Sequence, residues 1–197
     1  MMGLGSLARF TTPSRAGVAR CEVCASPLPE PHRHVVEIGV RGIACACQPC
    51  AILFERGDTR YRTVPDRVLR DPTFAPSEIG VPVGLACFVR EAERVATWYP
   101  GPAGITEGAV DDAAWTALAS ATELAREMAP HVEALLVYVP RSSPARSCYL
   151  VPVTAAYELA GRLRDAWQGF TGGATAEREL AAFFARLDER IRCGKRA

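Results

Sequence analysis

Residues 21–50 read CEVCASPLPEPHRHVVEIGVRGIACACQPC, which gathers five cysteines and two histidines into one short stretch. Two residues separate Cys21 from Cys24 and Cys47 from Cys50, and 22 residues lie between the pairs. That comes close to the spacing of a four-cysteine zinc site. Zinc takes four ligands at the corners of a tetrahedron, with sulfur at about 2.3 Å. A two-residue gap lets one tight turn present two thiolates together. Between the pairs, HVVEIGV and RGIACA read as two short strands with a turn near Gly39–Gly42. Such a hairpin brings the two cysteine turns together, so the expected unit is a zinc-ribbon-like module over residues 18–56. Its ligands would be Cys21, Cys24, Cys47 and Cys50.

Two neighbours complicate that set. With the turn at 39–42, residues whose numbers sum to 79–81 face each other, so His34 lies opposite Cys45 or Cys47. Either Cys45 or His34 can stand in for one of the four cysteines, or His34 can hydrogen-bond a bound sulfur. His32 is expected to face solvent. Iron is the competing metal, because a four-cysteine iron site has the same gross spacing. Iron knuckles usually carry glycine after the second cysteine, whereas Ala25 and Ala51 follow here. A metal-free thiol pair is the third reading. A closed four-sulfur shell leaves no position for water or substrate, so the expected role is structural. Metal binding would then drive local folding, with an apparent contribution on the order of 10 kcal/mol.

The chain around this module has 197 residues and a net charge of +1. A chain of this length buries roughly 70% of its unfolded surface, so it needs no covalent staples. Residues 1–70 hold ten arginines, no lysine and six acids (+4); the remainder holds thirteen basic and sixteen acidic residues (−3). A basic front and a mildly acidic rear suggest separate surfaces. The opening, MMGLGSLARFTTPSR, lacks the long apolar stretch of a secretory signal. No apolar run approaches the roughly 20 residues of a membrane span. The expectation is therefore a cytoplasmic protein, and in a reducing compartment clustered cysteines bind metal or do redox work more often than they pair.

Residues 1–17 read as a loose arm and 57–80 as a polar linker with one turn of helix after Pro65. Residues 81–197 read as an α+β domain. Within it, strands at 84–89 and 95–99 form a first hairpin turning near Glu91–Glu93, and Pro100 and Gly101 are expected to stop the pairing. A helix follows over VDDAAWTALASATELAREM, capped by Asp111 or Asp112. VEALLVYVPRSSPARSCYLVPV is a second hairpin with its loop at PRSSPA. The next helix, TAAYELAGRLRDAWQGF, has Thr154 as its expected cap and Tyr157, Leu159, Leu163 and Trp167 near one face. TAERELAAFFARLDERI closes the chain as a helix. Hairpin followed by helix thus occurs twice. The expected fold class is α+β: the small zinc-ribbon-like module plus an antiparallel sheet of two hairpins, with helices packed on one face.

The remaining chemistry-bearing residues read as structural. Cys87 and Cys148 lie inside strands as buried thiols, Cys193 is a free thiol on the tail, and His131 has no nucleophile beside it. Asp111 and Asp112 start a helix, where acids favour the dipole. GPAG and TGG lack the glycine spacing and lysine of a phosphate loop. In RYRTVPDR, the residues Arg60, Arg62 and Arg67 can grip an anion, but Asp58 and Asp66 are expected to neutralise part of that charge. No catalytic constellation emerges.

The stretches CEVC, HRHVVEI, CACQPCAILF, RYRTVPDRVL, WYPGPAGITEG and CYLVPVTAAYELAGRLRDAWQGF together resemble an actinobacterial family classed as a domain of unknown function. The resemblance runs from Cys21 to Leu187. Members of that family often lie beside genes for uptake nickel–iron hydrogenases, so it implies a hydrogenase component, or its maturation or assembly, as partner. It implies no activity. The expected function is a non-catalytic zinc-ribbon accessory protein whose α+β part presents a partner-binding surface. One alternative is an iron-binding electron-transfer or metal-handling protein, with Cys45 and His34 as a transfer pair. A second is nucleic-acid binding through the arginine-rich front, with an affinity that falls steeply with salt; the near-neutral net charge argues against it.

Overall fold

The apolar runs LACFV (85–89), ALLVY (134–138) and CYLV (148–151) are too continuous to alternate between a core and water. Strands of that composition need cover on both faces. A computed structural model, which describes residues 19–56, 60–74, 84–91, 94–140, 146–169 and 172–194, shows that arrangement. Strands β1 (Arg33–Glu37) and β2 (Gly42–Ala46) are followed by a short helix α1 (Gln48–Leu53) and strands β3 (Tyr61–Thr63) and β4 (Leu69–Asp71). Next come β5 (Leu85–Arg90), β6 (Val95–Gly101), β7 (Gly104–Ala109), α2 (Asp112–Ala121) and α3 (Leu124–Glu127). The chain ends with β8 (Glu133–Tyr138), β9 (Ser147–Pro152), α4 (Val153–Ala166) and α5 (Gly173–Gly194). β1, β2 and β3 form a small sheet in the order β2-β1-β3. The other six strands form one sheet in the order β4-β9-β8-β5-β6-β7, antiparallel throughout.

The large sheet has helices on both faces, which corrects the one-sided packing expected from the two hairpins. Along β5 the residues divide strictly: Leu85, Cys87 and Val89 join one core, Ala86 and Phe88 the other. The first core is completed by Leu159 and Leu163 of α4 and by Phe183, Phe184 and Leu187 of α5. The second is completed by Leu118 of α2, Leu124 and Ala125 of α3, Met128 and Phe74. The period-2 pleat thus sends alternate side chains of an all-apolar strand into two separate apolar layers.

Several boundaries differ from the sequence expectation, each for a local reason. Pairing does not stop at Pro100 and Gly101: β6 continues and turns back as β7, with Pro100 opposite Ile105 and Gly101 opposite Gly104. β5 pairs with β6 only as far as Trp98, so the missing amide of Pro100 forfeits no bond on that side. Gly104, at φ +96°, supplies the left-handed residue that the turn requires. The long helix expected after Asp111 breaks at Thr122, which is extended and whose Oγ1 accepts from Leu124 N at 3.4 Å. Asp111 is the cap, accepting from Ala114 N at 2.8 Å. Thr154 lies within α4, whose cap position is Pro152. The expected helical turn after Pro65 does not form: residues 64–68 have no regular secondary structure before β4. The arm over 1–17, Asp58, the hairpin tip at 92–93 and the loop over 141–145 lie outside the described residues. Among the described residues no helix is long and apolar enough to cross a membrane.

The small sheet shares its packing with the large one. Val36 of β1 and Val64, just after β3, are buried in the same core as Trp98 and Leu159. Arg41, at the tip of the β1–β2 turn, reaches across to Glu107 of β7 and to Glu91, both at 2.6 Å. The arginine-rich segment around β3 is paired within the molecule. Arg60 pairs with Glu37 at 2.8 Å, and Asp66 with Arg190 at 2.5 Å. Arg67 clamps Glu133 with two bonds, Nε to Oε1 at 2.6 Å and Nη2 to Oε2 at 2.9 Å. Glu133 is fully enclosed at the start of β8, and its Oε2 also accepts from Ala129 N at 2.8 Å. Removing the guanidinium strands a buried carboxylate. Arg67→Ala is therefore expected to lower the unfolding free energy by about 3 kcal/mol, measured by urea denaturation; a loss below about 1 kcal/mol, typical of a surface ion pair, would contradict this role.

Candidate metal centre

The cysteines of residues 21–50 sit on two different local structures. Cys21 and Cys24 flank a tight turn closed by backbone bonds from Cys21 N to Ser26 O (2.8 Å) and from Ala25 N to Cys21 O (2.7 Å). Ala25 closes the turn at φ +60°, a left-handed position where glycine is the usual occupant. Cys47 is the N-cap of α1, with Pro49 in its first turn, and Cys50 lies one turn on. Ala51 N donates to Cys47 O at 2.9 Å, closing that turn. Spacing of three along a helix start places both sulfurs on one side. The β1–β2 hairpin carries the second pair back to the first, and its register sets Cys45 opposite His34.

All four sulfurs of Cys21, Cys24, Cys47 and Cys50 lie within 4.8 Å of one another. The Cys24 and Cys47 sulfurs are 3.6 Å apart, and none of the eight cysteines forms a disulfide. Sulfurs at about 2.3 Å from a tetrahedral ion sit about 3.8 Å from each other, so the set fits one ion. Cys45 and His34 group elsewhere. Their ligand atoms lie within 4.8 Å of each other and of His32, a separate cluster that shares no residue with the first. His32 is half-buried rather than solvent-facing, with both ring nitrogens enclosed. The solvent-facing expectation for His32 fails because the residue lies just before β1 and its ring packs 4.9 Å from that of His34.

Electrostatics within the four-sulfur cluster are uneven. The Ser26 hydroxyl, 3.3 Å from the Cys24 sulfur, leads the groups that draw this thiol down to about 6. Burial opposes the charge on Cys21, but backbone amides at Cys47, Cys24 and Val23 outweigh it and leave the thiol below its usual range. Cys50 is pushed up to about 12, first by its hydrogen bond with Cys47, then by burial and by the other sulfurs. Four thiols this close cannot all shed their protons without a cation among them. Outside the cluster, Cys148 is pushed up to about 12 by burial. Burial raises Cys87 further still, as expected for structural thiols. His131 is half-buried at φ +69°, and its backbone N–H donates to Arg90 O at 2.8 Å.

Thiolate content controls alkylation, and it grows as pH rises through the thiol's own pKa. In metal-free, reduced protein Cys24 is expected to react first with iodoacetamide, with a rate that inflects near pH 6 and falls away below it. Peptide mapping across pH 4–9 tests this; a Cys24 inflection above pH 8, like that of an ordinary thiol, would contradict the geometry around Ser26.

Neither the curated proteins nor the solved structures contain a match to this chain. A family model described as "Family of unknown function (DUF5947)" matches residues 20–191, spanning both the cysteine module and the large sheet. The chain belongs to that family.

Proposed function

We propose that this chain is a non-catalytic accessory protein whose cysteine module is organised by one zinc ion on Cys21, Cys24, Cys47 and Cys50 and docks a protein partner. The observation behind the metal is the convergence of four sulfurs within 4.8 Å. A four-thiolate donor set suits zinc, and with all four positions filled the ion has no site for a reactant. The module's own core supports a structural role. Its buried apolar members are Cys21, Leu28, Val35, Ala46, Cys50 and Ala51. Two of those six are proposed ligands, and so small a core benefits from a structural ion.

The partner reading rests on where apolar surface lies. Among the described residues, the large hydrophobic side chains left exposed are Val23, Val40, Ile52 and Leu53, and all four belong to the cysteine module. Val23 sits between the ligands of the first turn, and Ile52 and Leu53 follow Cys50 on α1. Folding the module around its ion is what would set them out together. The resemblance noted above makes a component of a nickel–iron hydrogenase the partner to test first. Iron in place of zinc would turn the same site toward electron transfer.

Protein purified without added metal is expected to be colourless and to hold zinc by elemental analysis; a red or brown protein holding iron would overturn the structural reading. The partner is tested by co-purification with the hydrogenase subunits. The double variant Ile52→Asp/Leu53→Asp is expected to weaken capture at least tenfold while keeping its zinc and its thermal unfolding. Equal capture by both proteins would remove the docking surface from the account.

A further inference from the structure

The second cluster, His32, His34 and Cys45, lies outside the four-sulfur site and is left unused by the proposed function. Antiparallel pairing sets His34 and Cys45 directly opposite each other on β1 and β2. His32, just before β1, brings its ring to 4.9 Å from that of His34, tilted by 40°. One ligand atom from each of the three lies within 4.8 Å of the other two. The position of Cys45 is fixed from both sides by Glu22: Glu22 N donates to Cys45 O at 2.9 Å, and Cys45 N donates to Glu22 Oε2 at 2.5 Å. Glu22 lies between the two cysteines of the first turn, so the four-sulfur site and the second cluster are braced together.

His32 presents the telling detail. Both of its ring nitrogens are shut off from solvent, and neither meets a hydrogen-bond partner among the described residues. A neutral imidazole has one N–H to donate and one lone pair to fill. Burying such groups unsatisfied is unfavourable, and native proteins avoid it unless a bound group completes them. A cation between His32, His34 and Cys45 would fill the lone pair on His32, and the Glu22 carboxylate nearby would favour its charge.

We propose that His32, His34 and Cys45 form a second metal site, which takes a first-row divalent cation of the zinc and cobalt class. Two imidazoles and one thiolate are the donors that such borderline ions prefer. Three protein ligands leave a fourth position open, unlike the closed shell of four sulfurs. His32 and His34 both line a cleft of about 490 Å³ between the module and α4 and α5. Arg33, Gln48, Thr154 and Glu158 also line it. An ion held by three ligands exchanges more readily than one held by four, so this site loads last and empties first.

The test is a cobalt(II) titration of the full-length protein, stripped of metal and kept reduced, followed by thiolate-to-cobalt absorption and bound cobalt. Wild type is expected to bind two ions. The second should be held at least tenfold more weakly and add about a quarter of the thiolate absorption of the first, one sulfur against four. Cys45→Ser and the double variant His32→Gln/His34→Gln should each bind one ion, the retained four-sulfur spectrum showing that the module is folded. Cys24→Ser should lose the strong ion and keep the weak one. A wild type that binds a single ion, lost with Cys24→Ser and kept with Cys45→Ser, would overturn the second site and leave the proposed function standing. A single ion lost with Cys45→Ser alone would uphold the second site and remove the four-sulfur one. Two ions bound by both Cys45→Ser and the histidine variant would overturn this assignment.

Discussion

Four thiols brought within 4.8 Å of one another create an electrostatic problem that the polypeptide alone does not solve. Ionising one disfavours ionising the next: Ser26 draws the Cys24 thiol down, whereas Cys50 is pushed up, first by its hydrogen bond with Cys47 and then by burial and the other sulfurs. A divalent cation at the centre removes the conflict by making every thiolate favourable at once. The surrounding chain is arranged to hold that geometry. A turn supplies one pair, the start of a helix supplies the other, and a five-residue antiparallel register between β1 and β2 closes the distance between them. The positive φ of Ala25 shows how tightly the first turn is wound. An alanine held there at a cost of roughly 1–2 kcal/mol needs a compensating interaction, and the converging sulfurs offer one.

The module does not stand apart from the rest of the molecule. Val36 and Val64 extend the core beneath α4, and Arg41 bridges the hairpin tip to Glu91 and Glu107. Arg67 couples the segment after β3 to the fully buried Glu133. A change at the metal centre is therefore felt through packed side chains and ion pairs rather than across a loose tether. The same connections consume the arginines that a sequence reading offers to an anionic partner. Nucleic-acid binding through this front loses much of its physical basis once Arg60 and Arg67 are paired internally and Arg62 donates to Pro130 O at 3.4 Å.

Much of this was legible in the residues. Paired Cys-x-x-Cys turns around a glycine-bounded hairpin determine which sulfurs can meet, and the turn at 39–42 narrows the residue opposite His34 to Cys45 or Cys47; the register of β1 and β2 makes it Cys45. The continuous apolar runs of β5, β8 and β9 also hold the two-sided cover of the large sheet, a signal that the hairpin–helix repeat obscured. Other features have no local signature. β3 and β4 are three residues each and exist because a neighbouring strand offers an edge. β7, GITEGA, is rich in glycine and half exposed, so neither composition nor alternation marks it. The enclosure of His32 depends on what packs around residues 29–34, which no periodicity records.

Zinc K-edge X-ray absorption on full-length protein loaded with one equivalent of zinc tests the central claim most directly. The account predicts a first shell of four sulfurs at about 2.3 Å and no lighter neighbour. A shell in which nitrogen or oxygen replaces one or more sulfurs would show that the four cysteines do not jointly enclose the ion, and would contradict it.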